Sequence, residues 1–310
     1  MKKIKVAIIG VGHLGSRHLK VLSQLKNKVE LVGISDIDSE KAARLAREFG
    51  TRFFPDYRTL AGMAEAVTIC TPTISHCDVG LFFINNGLHT FIEKPIAMTT
   101  DEADKLIEAA RAQNVKLQIG HVERFNSAFT AIKDIAKNPL FIECHRLNNF
   151  PNRSLDIGVT LDLMIHDIDI VLGLIDSPLK NIAAIGINVL TDKDDISNVR
   201  LTFDNKSVCN LTASRISPEV MRKIRIFIPD AYISLDYVKQ EAFIYRKEGT
   251  KINRTALPIE KEEPLKKELE HFIDCVRDDK RPLVAGEEGR EALKTALAIQ
   301  DIIWRDYVSK

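Results

Sequence analysis

Residues 5–15 read Lys5-Val6-Ala7-Ile8-Ile9-Gly10-Val11-Gly12-His13-Leu14-Gly15, an apolar run leading straight into the spacing G-x-G-x-x-G. The run Lys5–Ile9 predicts a buried strand, and Leu14, His18, Leu22 and Leu25 recur at helical spacing, predicting a helix over 14–26. Each glycine has its own use in such a strand–turn–helix. Gly10 makes the tight turn, Gly12 lets backbone approach a pyrophosphate, and Gly15 permits close helix–strand packing. The helix start adds unpaired N–H groups and the positive end of its dipole. His13 and Leu14 stand in the same turn and are expected among the cofactor contacts. A second strand is expected at Val29–Ser35, followed by Asp36, 21 positions beyond Gly15. A carboxylate there accepts from ribose hydroxyls and repels a 2′-phosphate. NAD is therefore the expected cofactor, with NADP the alternative because Lys41 and Arg44 lie close by. Asp38 is assigned to the next turn. A methyltransferase binding S-adenosylmethionine can share this glycine pattern, so the downstream residues have to separate the two.

Outward from that stretch, short apolar runs alternate with helical patterns through residue 120. Ser39–Phe49 predicts a helix capped by Ser39 and stopped by Gly50. Strands are expected at Val67–Cys70, Thr90–Ile92 and Lys116–Ile119, with helices over 78–86 and 101–113 between them. Thr99 and Glu102 have capping-box spacing. The second half changes rhythm. Helices over 127–137 and 159–174 flank a strand at Leu140–Leu147. Strand then follows strand, over 182–189, 198–203, 207–213, 223–228, 231–235 and 242–245, with Asp204-Asn205 as a hairpin turn. Two helices, over 265–277 and 287–307, end the chain. The fold class read from this is α/β. An N-terminal Rossmann domain with a doubly wound parallel sheet spans 1–121, and a C-terminal α+β domain with an open, largely antiparallel sheet spans 122–310.

Composition narrows the partners. The 44 Lys+Arg balance 43 Asp+Glu, which gives no electrostatic case for nucleic acid or a membrane surface. Cys70, Cys77, Cys144, Cys209 and Cys275 are scattered and unpaired in spacing, against a disulfide framework or zinc cluster and in keeping with the cytoplasm. The apolar part of MKKIKVAIIG is too short for a secretory signal, and no later run approaches a membrane span.

Three segments carry candidate chemistry. Thr71 and Pro72 follow a strand at the carboxyl edge of the parallel sheet, where ligands bind, and His76 heads the next helix. Glu93-Lys94-Pro95 follows another strand at that edge, with the Lys94-Pro95 bond a candidate for cis. Asp162 and His166, at i and i+4 in a predicted helix, put a carboxylate beside an imidazole, the components of an oriented general base. Alone, each has a plainer reading: an exposed loop lysine, a helix salt link, a satisfied core histidine. Metal ligation by Asp162, His166 and Asp167 lacks further ligands, so no metal is expected.

Taken in order, GVGHLGSRH at 10–18, CTPTISH at 70–76, EKP at 93–95, GHVERFN at 120–126 and DLMIH at 162–166 resemble the Gfo/Idh/MocA family of NAD(P)-dependent oxidoreductases. The resemblance covers about the first 175 residues; the remainder agrees in architecture. It implies a dehydrogenase with Lys94 at the reacting hydroxyl and cofactor, His166 as general base and Asp162 binding or orienting substrate. Substrate would then lie between the domains. Thr71, Pro72, His76, Glu93 and Lys94 would join Gly10, Gly12 and Gly15 around the cofactor. GHVERFN is similar to members acting on nucleotide sugars such as UDP-N-acetylglucosamine at its 3-hydroxyl. His121, Glu123, Arg124 and Asn126 would then line the sugar route, with Arg146, Asn149 and Arg153 at the phosphates or a carboxylate. The alternatives are a free sugar, polyol or inositol as substrate, or an NAD-binding regulator without turnover. The resemblance also implies a homodimer or homotetramer.

Overall fold

The computed structural model describes residues 2–150 and 157–308, with side chains at the C-terminus through residue 305. These divide into two units, Met1–Val122 with Glu263–Arg290, and Glu123–Glu262 with Glu291–Lys310. Residues 263–290, expected in a contiguous second domain over 122–310, fall in the first unit by this division.

The first unit begins with strand β1 (Ile4–Ile9), helix α1 (His13–Gln24), β2 (Val29–Ser35) and α2 (Ser39–Phe49). It continues through β3 (Ala66–Ile69), α3 (His76–Asn85), β4 (His89–Glu93), α4 (Thr100–Ala112) and β5 (Leu117–Gly120). All five strands run parallel in the order β2-β1-β3-β4-β5. The chain therefore leaves β1 to one side and returns on the other, which opens a crevice at the carboxyl ends of β1 and β3. β3 and β5 are buried throughout, as strands covered on both faces must be. Asp38, not Ser39, caps α2, accepting the Lys41 N–H at 3.0 Å; Gly50 at φ +66° ends it as expected. Thr99 caps α4 through the Glu102 N–H.

The returning segment carries the amphipathic helix α7 (Pro264–Arg277), whose Leu269, Phe272 and Ile273 join Val6, Ile8, Leu19 and Leu22 in one core. Each side chain buried this way contributes about 1.5–3 kcal/mol. Phe272 meets Phe91 edge-on at 5.7 Å, and Lys28 reaches Glu270 and Asp274 at 2.8 and 2.9 Å. Val284 and Ala285 then cover the outer edge of β5, the Ile119 N–H donating to Val284 O at 3.0 Å.

Three histidines of this unit favour the neutral ring. Burial is the main cause at His76, His89 and His271, each held below its ordinary 6.5. His89 Nδ1 also accepts the Lys116 N–H and His271 Nε2 the Leu283 N–H, roles that protonation abolishes. The unfolded chain therefore takes up these protons at higher pH than the folded one. Below about 6.5, stability falls with pH until the folded rings also titrate. Thermal melting between about pH 7.5 and 5.5 should show this fall, and His89→Gln should flatten it; equal slopes would exclude His89 from the effect.

The second unit holds α5 (Ser127–Ile132), β6 (Phe141–Leu147), α6 (Ile165–Leu174), and then β7 (Leu179–Ile187) and β8 (Ile196–Phe203). β9 (Val208–Ser214), β10 (Met221–Ile228), β11 (Ala231–Asp236), β12 (Glu241–Glu248) and β13 (Lys251–Ala256) follow. The last helix, α8 (Gly286–Val308), begins in the first unit and ends in this one. The sheet order is β13-β12-β11-β10-β6-β9-β8-β7, with β6 and β9 parallel and the other neighbours antiparallel. Between β8 and β9 the left-handed position of the turn is Lys206, not Asn205. β13 has no counterpart in the sequence reading. All six of its residues are exposed, so its edge position left no apolar alternation to detect. Among the described residues no helix is long and apolar enough to cross a membrane.

Candidate active site

The glycine turn lies between β1 and α1, at the carboxyl edge of the first sheet. Gly10 sits at φ +82°, and a Cβ there would stand 2.8 Å from the Cys70 carbonyl oxygen. A Cβ on Gly15 would run into the Gly10 carbonyl. Gly12 differs: nothing lies within 4 Å of where its Cβ would be. That open space is where a bound group can come close to backbone. α1 has no side-chain cap and no acidic residue in its first turn, which suits its leading N–H groups and positive dipole end to an anion. Asp36, just past β2, is tied to this turn by the Val11 N–H, which donates to Oδ2 at 2.6 Å; the Asp38 N–H donates to Oδ1 at 2.9 Å. A carboxylate accepts about four bonds, which leaves capacity for ribose hydroxyls. These residues fit a dinucleotide. Gly12→Val is accordingly expected to melt like the parent while NADH affinity falls roughly tenfold or more. Gly15→Val is expected to disrupt folding instead, and melting curves beside NADH fluorescence titrations separate the two.

Thr71 and Pro72 follow β3 at the same edge, part-exposed and exposed, and His13 is exposed and Leu14 part-exposed on the first turn of α1. Lys94 is the one residue from Thr90 to Ala97 that is not buried. Its flanks, Glu93 and Pro95, are both buried, and the Lys94-Pro95 peptide is cis. Glu93 and His76 were expected to touch cofactor. Both point into the protein instead, at 7% and 1% exposure. Glu93 Oε1 lies 2.8 Å from Nε2 of the fully buried His18. Burial pushes the Glu93 carboxyl up, but the hydrogen bond with His18 and the Lys94 charge outweigh it, so its pKa falls. His76 places Nδ1 at 2.8 Å from Pro95 O and Nε2 at 2.8 Å from Thr71 O.

In the second unit the expected helix over 159–174 opens as a π-helical turn, Thr160–Met164, before α6 takes α geometry. Asp194 fixes that opening, accepting the Thr160 N–H at 2.9 Å and its hydroxyl at 2.7 Å. The π turn carries Asp162. His166 is the one position from Met164 to Val171 that is not buried, and Asp162 is likewise part-exposed. Asp167 and Asp169 beside His166 are buried and anchored. Arg146 donates to both Asp167 oxygens at 2.9 and 2.8 Å and to Glu123 at 2.9 Å, with its guanidinium 5.6 Å from the Tyr237 ring centre. Arg124 grips Asp169 through two oxygens at 2.7 and 3.1 Å and its carbonyl at 2.7 Å.

Of the residues expected at the substrate, Glu123, Asn126 and Arg146 are buried in this network and Arg124 is part-exposed. Arg146 is 2% exposed with its guanidinium engaged by two acids. Burial lowers its pKa, and Asp167 and Glu123 more than reverse this, leaving it well above the ordinary arginine value. Asn126 caps α5 through the Ala128 N–H and donates to Glu123 and to Tyr237 O. The motif over 123–126 thus holds the helix that carries His166. His121 is 1% exposed, in the first unit. Asn149 is exposed and donates to Pro218 O at 3.4 Å. Arg153 lies outside the described residues. His18 was overlooked as a polar anchor; the signal available was an imidazole at an apolar position of a helical repeat.

The chain matches the Gfo/Idh/MocA oxidoreductase family, NAD-binding Rossmann fold, over residues 4–121, and the Gfo/Idh/MocA C-terminal domain over residues 109–233. It is 35% identical over 307 residues to the UDP-N-acetylglucosamine 3-dehydrogenase of Acidithiobacillus ferrooxidans, covering 97% of each chain. A solved structure of UDP-N-acetylglucosamine 3-dehydrogenase from that organism matches with a TM-score of 0.93 at 34% identity, over 98% of each chain. The scyllo-inositol 2-dehydrogenase (NAD(+)) of Bacillus subtilis is 25% identical, over 96% of this chain and 93% of that one. The chain belongs to the Gfo/Idh/MocA family of oxidoreductases, and its first unit carries that family's NAD-binding Rossmann fold.

Proposed function

We propose that this protein is an NAD-dependent dehydrogenase that oxidises the 3-hydroxyl of UDP-N-acetylglucosamine to a ketone. The observation that carries the reading is Lys94, the single part-exposed side chain in a buried stretch, on the same sheet edge as an uncapped glycine turn. The substrate follows from the relative that is 35% identical over nearly the whole chain. Bound NAD supplies the hydride acceptor at its nicotinamide C4. His166 takes the proton of the substrate hydroxyl, Asp162 orients substrate, and the Lys94 ammonium stabilises negative charge developing on the oxygen. Asp36 selects NAD over NADP by repelling a 2′-phosphate.

The second reading, a free polyol or inositol as substrate, is favoured by one observation. Arg124 and Arg146 are occupied by Asp169, Asp167 and Glu123, so neither is offered to a diphosphate. One experiment separates the readings. NADH absorbance is followed with UDP-N-acetylglucosamine, its uronate, inositol and free sugars, with bound nicotinamide assayed in parallel. Signal with the nucleotide sugar, and inhibition by UDP, are the expected results; signal with inositol and none with the sugar nucleotides establishes the second reading.

The same reading includes a cytoplasmic location, supported by the five unpaired cysteines, and a homodimer or homotetramer. What supports self-association is a row of rings along the second sheet. Phe141, Phe227, Tyr232 and Tyr245 follow one another at centroid spacings of 5.5, 4.8 and 4.9 Å, on strands whose opposite face is the core. Light scattering at monomer mass across concentrations would remove this proposal.

A further inference from the structure

Two buried imidazoles in the first unit have no place in the chemistry above, and both bear on the segment that carries Lys94. His18 lies on the inward face of α1 between the glycine turn and Leu19, fully buried, its ring edge-on to Phe91 at 5.3 Å. A leucine would fill that slot without the cost of burying a polar ring, so what the imidazole adds is its bond. That bond goes to Glu93, the residue before Lys94, at 2.8 Å. The second Glu93 oxygen accepts the Lys94 N–H at 3.2 Å. On the other flank, His76 opens α3 and is equally buried. Its two nitrogens stand at the carbonyls of Pro95, the residue after Lys94, and of Thr71, at the end of β3. A carbonyl only accepts, so the neutral ring makes one hydrogen bond, donated to one of the two carbonyls, and its burial between the loops packs it against the other. α1 and α3 thus grip the residues before and after Lys94, while Lys94 alone reaches the surface.

We infer that His18 and His76 are positioning residues for Lys94, holding the Glu93-Lys94-Pro95 segment from both sides so that the ammonium meets the reacting oxygen. This rests on the role given to Lys94 above. Because α1 also starts at the glycine turn, His18 joins the element that receives the dinucleotide to the residue that works on the substrate. Neither histidine touches a reactant; each acts through backbone it holds. A displacement on the order of 1 Å at a reacting group lowers rate by about 100-fold, so loss of either grip should fall on turnover.

The test uses His18→Phe, which keeps a ring against Phe91 and deletes the donor, and His76→Leu. Turnover with UDP-N-acetylglucosamine should drop roughly 10- to 100-fold in each, with NADH dissociation constants within about twofold of the parent. Amide exchange by mass spectrometry should quicken over residues 93–97 and stay at parent rates over the glycine turn. His18→Gln, whose amide N–H still donates to Glu93, should recover most of the lost rate. Full turnover in both variants overturns the inference. So does lost protection throughout the first unit, because the histidines would then hold the fold and not the segment. Lys94→Met separates the two levels. Normal turnover in that variant removes the role of Lys94 itself, whereas an inactive Lys94→Met beside fully active histidine variants removes only the positioning.

Discussion

Replacing Lys94 by methionine is expected to leave NADH affinity unchanged while turnover falls roughly 100- to 1,000-fold. Methionine keeps the unbranched stem and removes the charge. Glu93 with His18 and Pro95 with His76 hold the segment on both sides, so the backbone should stay in place. What is lost is a cation beside an oxygen that becomes negative as its proton leaves, an interaction stronger in the transition state than in the bound substrate. The KM should therefore change far less than kcat. Steady-state NADH formation and NADH fluorescence titration give both quantities. Parallel losses of affinity and turnover would reassign Lys94 to cofactor binding.

The second large effect is structural. Arg146→Met should destabilise the second unit by about 3–5 kcal/mol, the usual cost of leaving buried charge without its partner. Here two carboxylates, Asp167 and Glu123, lose one guanidinium, at side-chain exposures of 4% and 9%. Trp304, the only tryptophan, lies in that unit, so its fluorescence in a urea titration reports the change. If Arg146 gripped a substrate diphosphate, stability would hold and KM would rise. The two outcomes do not overlap.

How far the sequence could be read follows from what each signal encodes. The glycine spacing and the alternation of apolar runs report backbone geometry directly, and the parallel sheet they implied is the one observed. Asp36 was singled out by its place at the end of a strand, whereas Lys94 and His166 drew their expected roles from the family resemblance, since alone they read equally as a loop lysine and a core histidine. The arginines are ambiguous in sequence for a physical reason. A guanidinium matches a phosphate and a carboxylate equally well, and sequence does not tell which of the two lies opposite. Asp167 and Asp169, the acids that claim Arg146 and Arg124, sit in the same helix as His166, 21 and 45 residues further along the chain than those arginines. The π-helical turn at 160–164 escaped because it depends on Asp194, more than thirty residues downstream. A helix was expected over 265–277 and is there, but periodicity does not say which sheet a helix will cover.

Helix α7 sets a timetable for synthesis. When residue 122 emerges from the ribosome, every strand of the parallel sheet is present, yet the side chains that seal one flank of its core, Leu269, Phe272 and Ile273, have not been made. At ordinary elongation rates the wait is roughly 10–30 s. Through that interval the nascent NAD-binding half exposes an apolar surface that any chaperone can hold, and a chain stopped between the two points would be a substrate for quality control. The first portion of this protein to be translated is among the last to be finished.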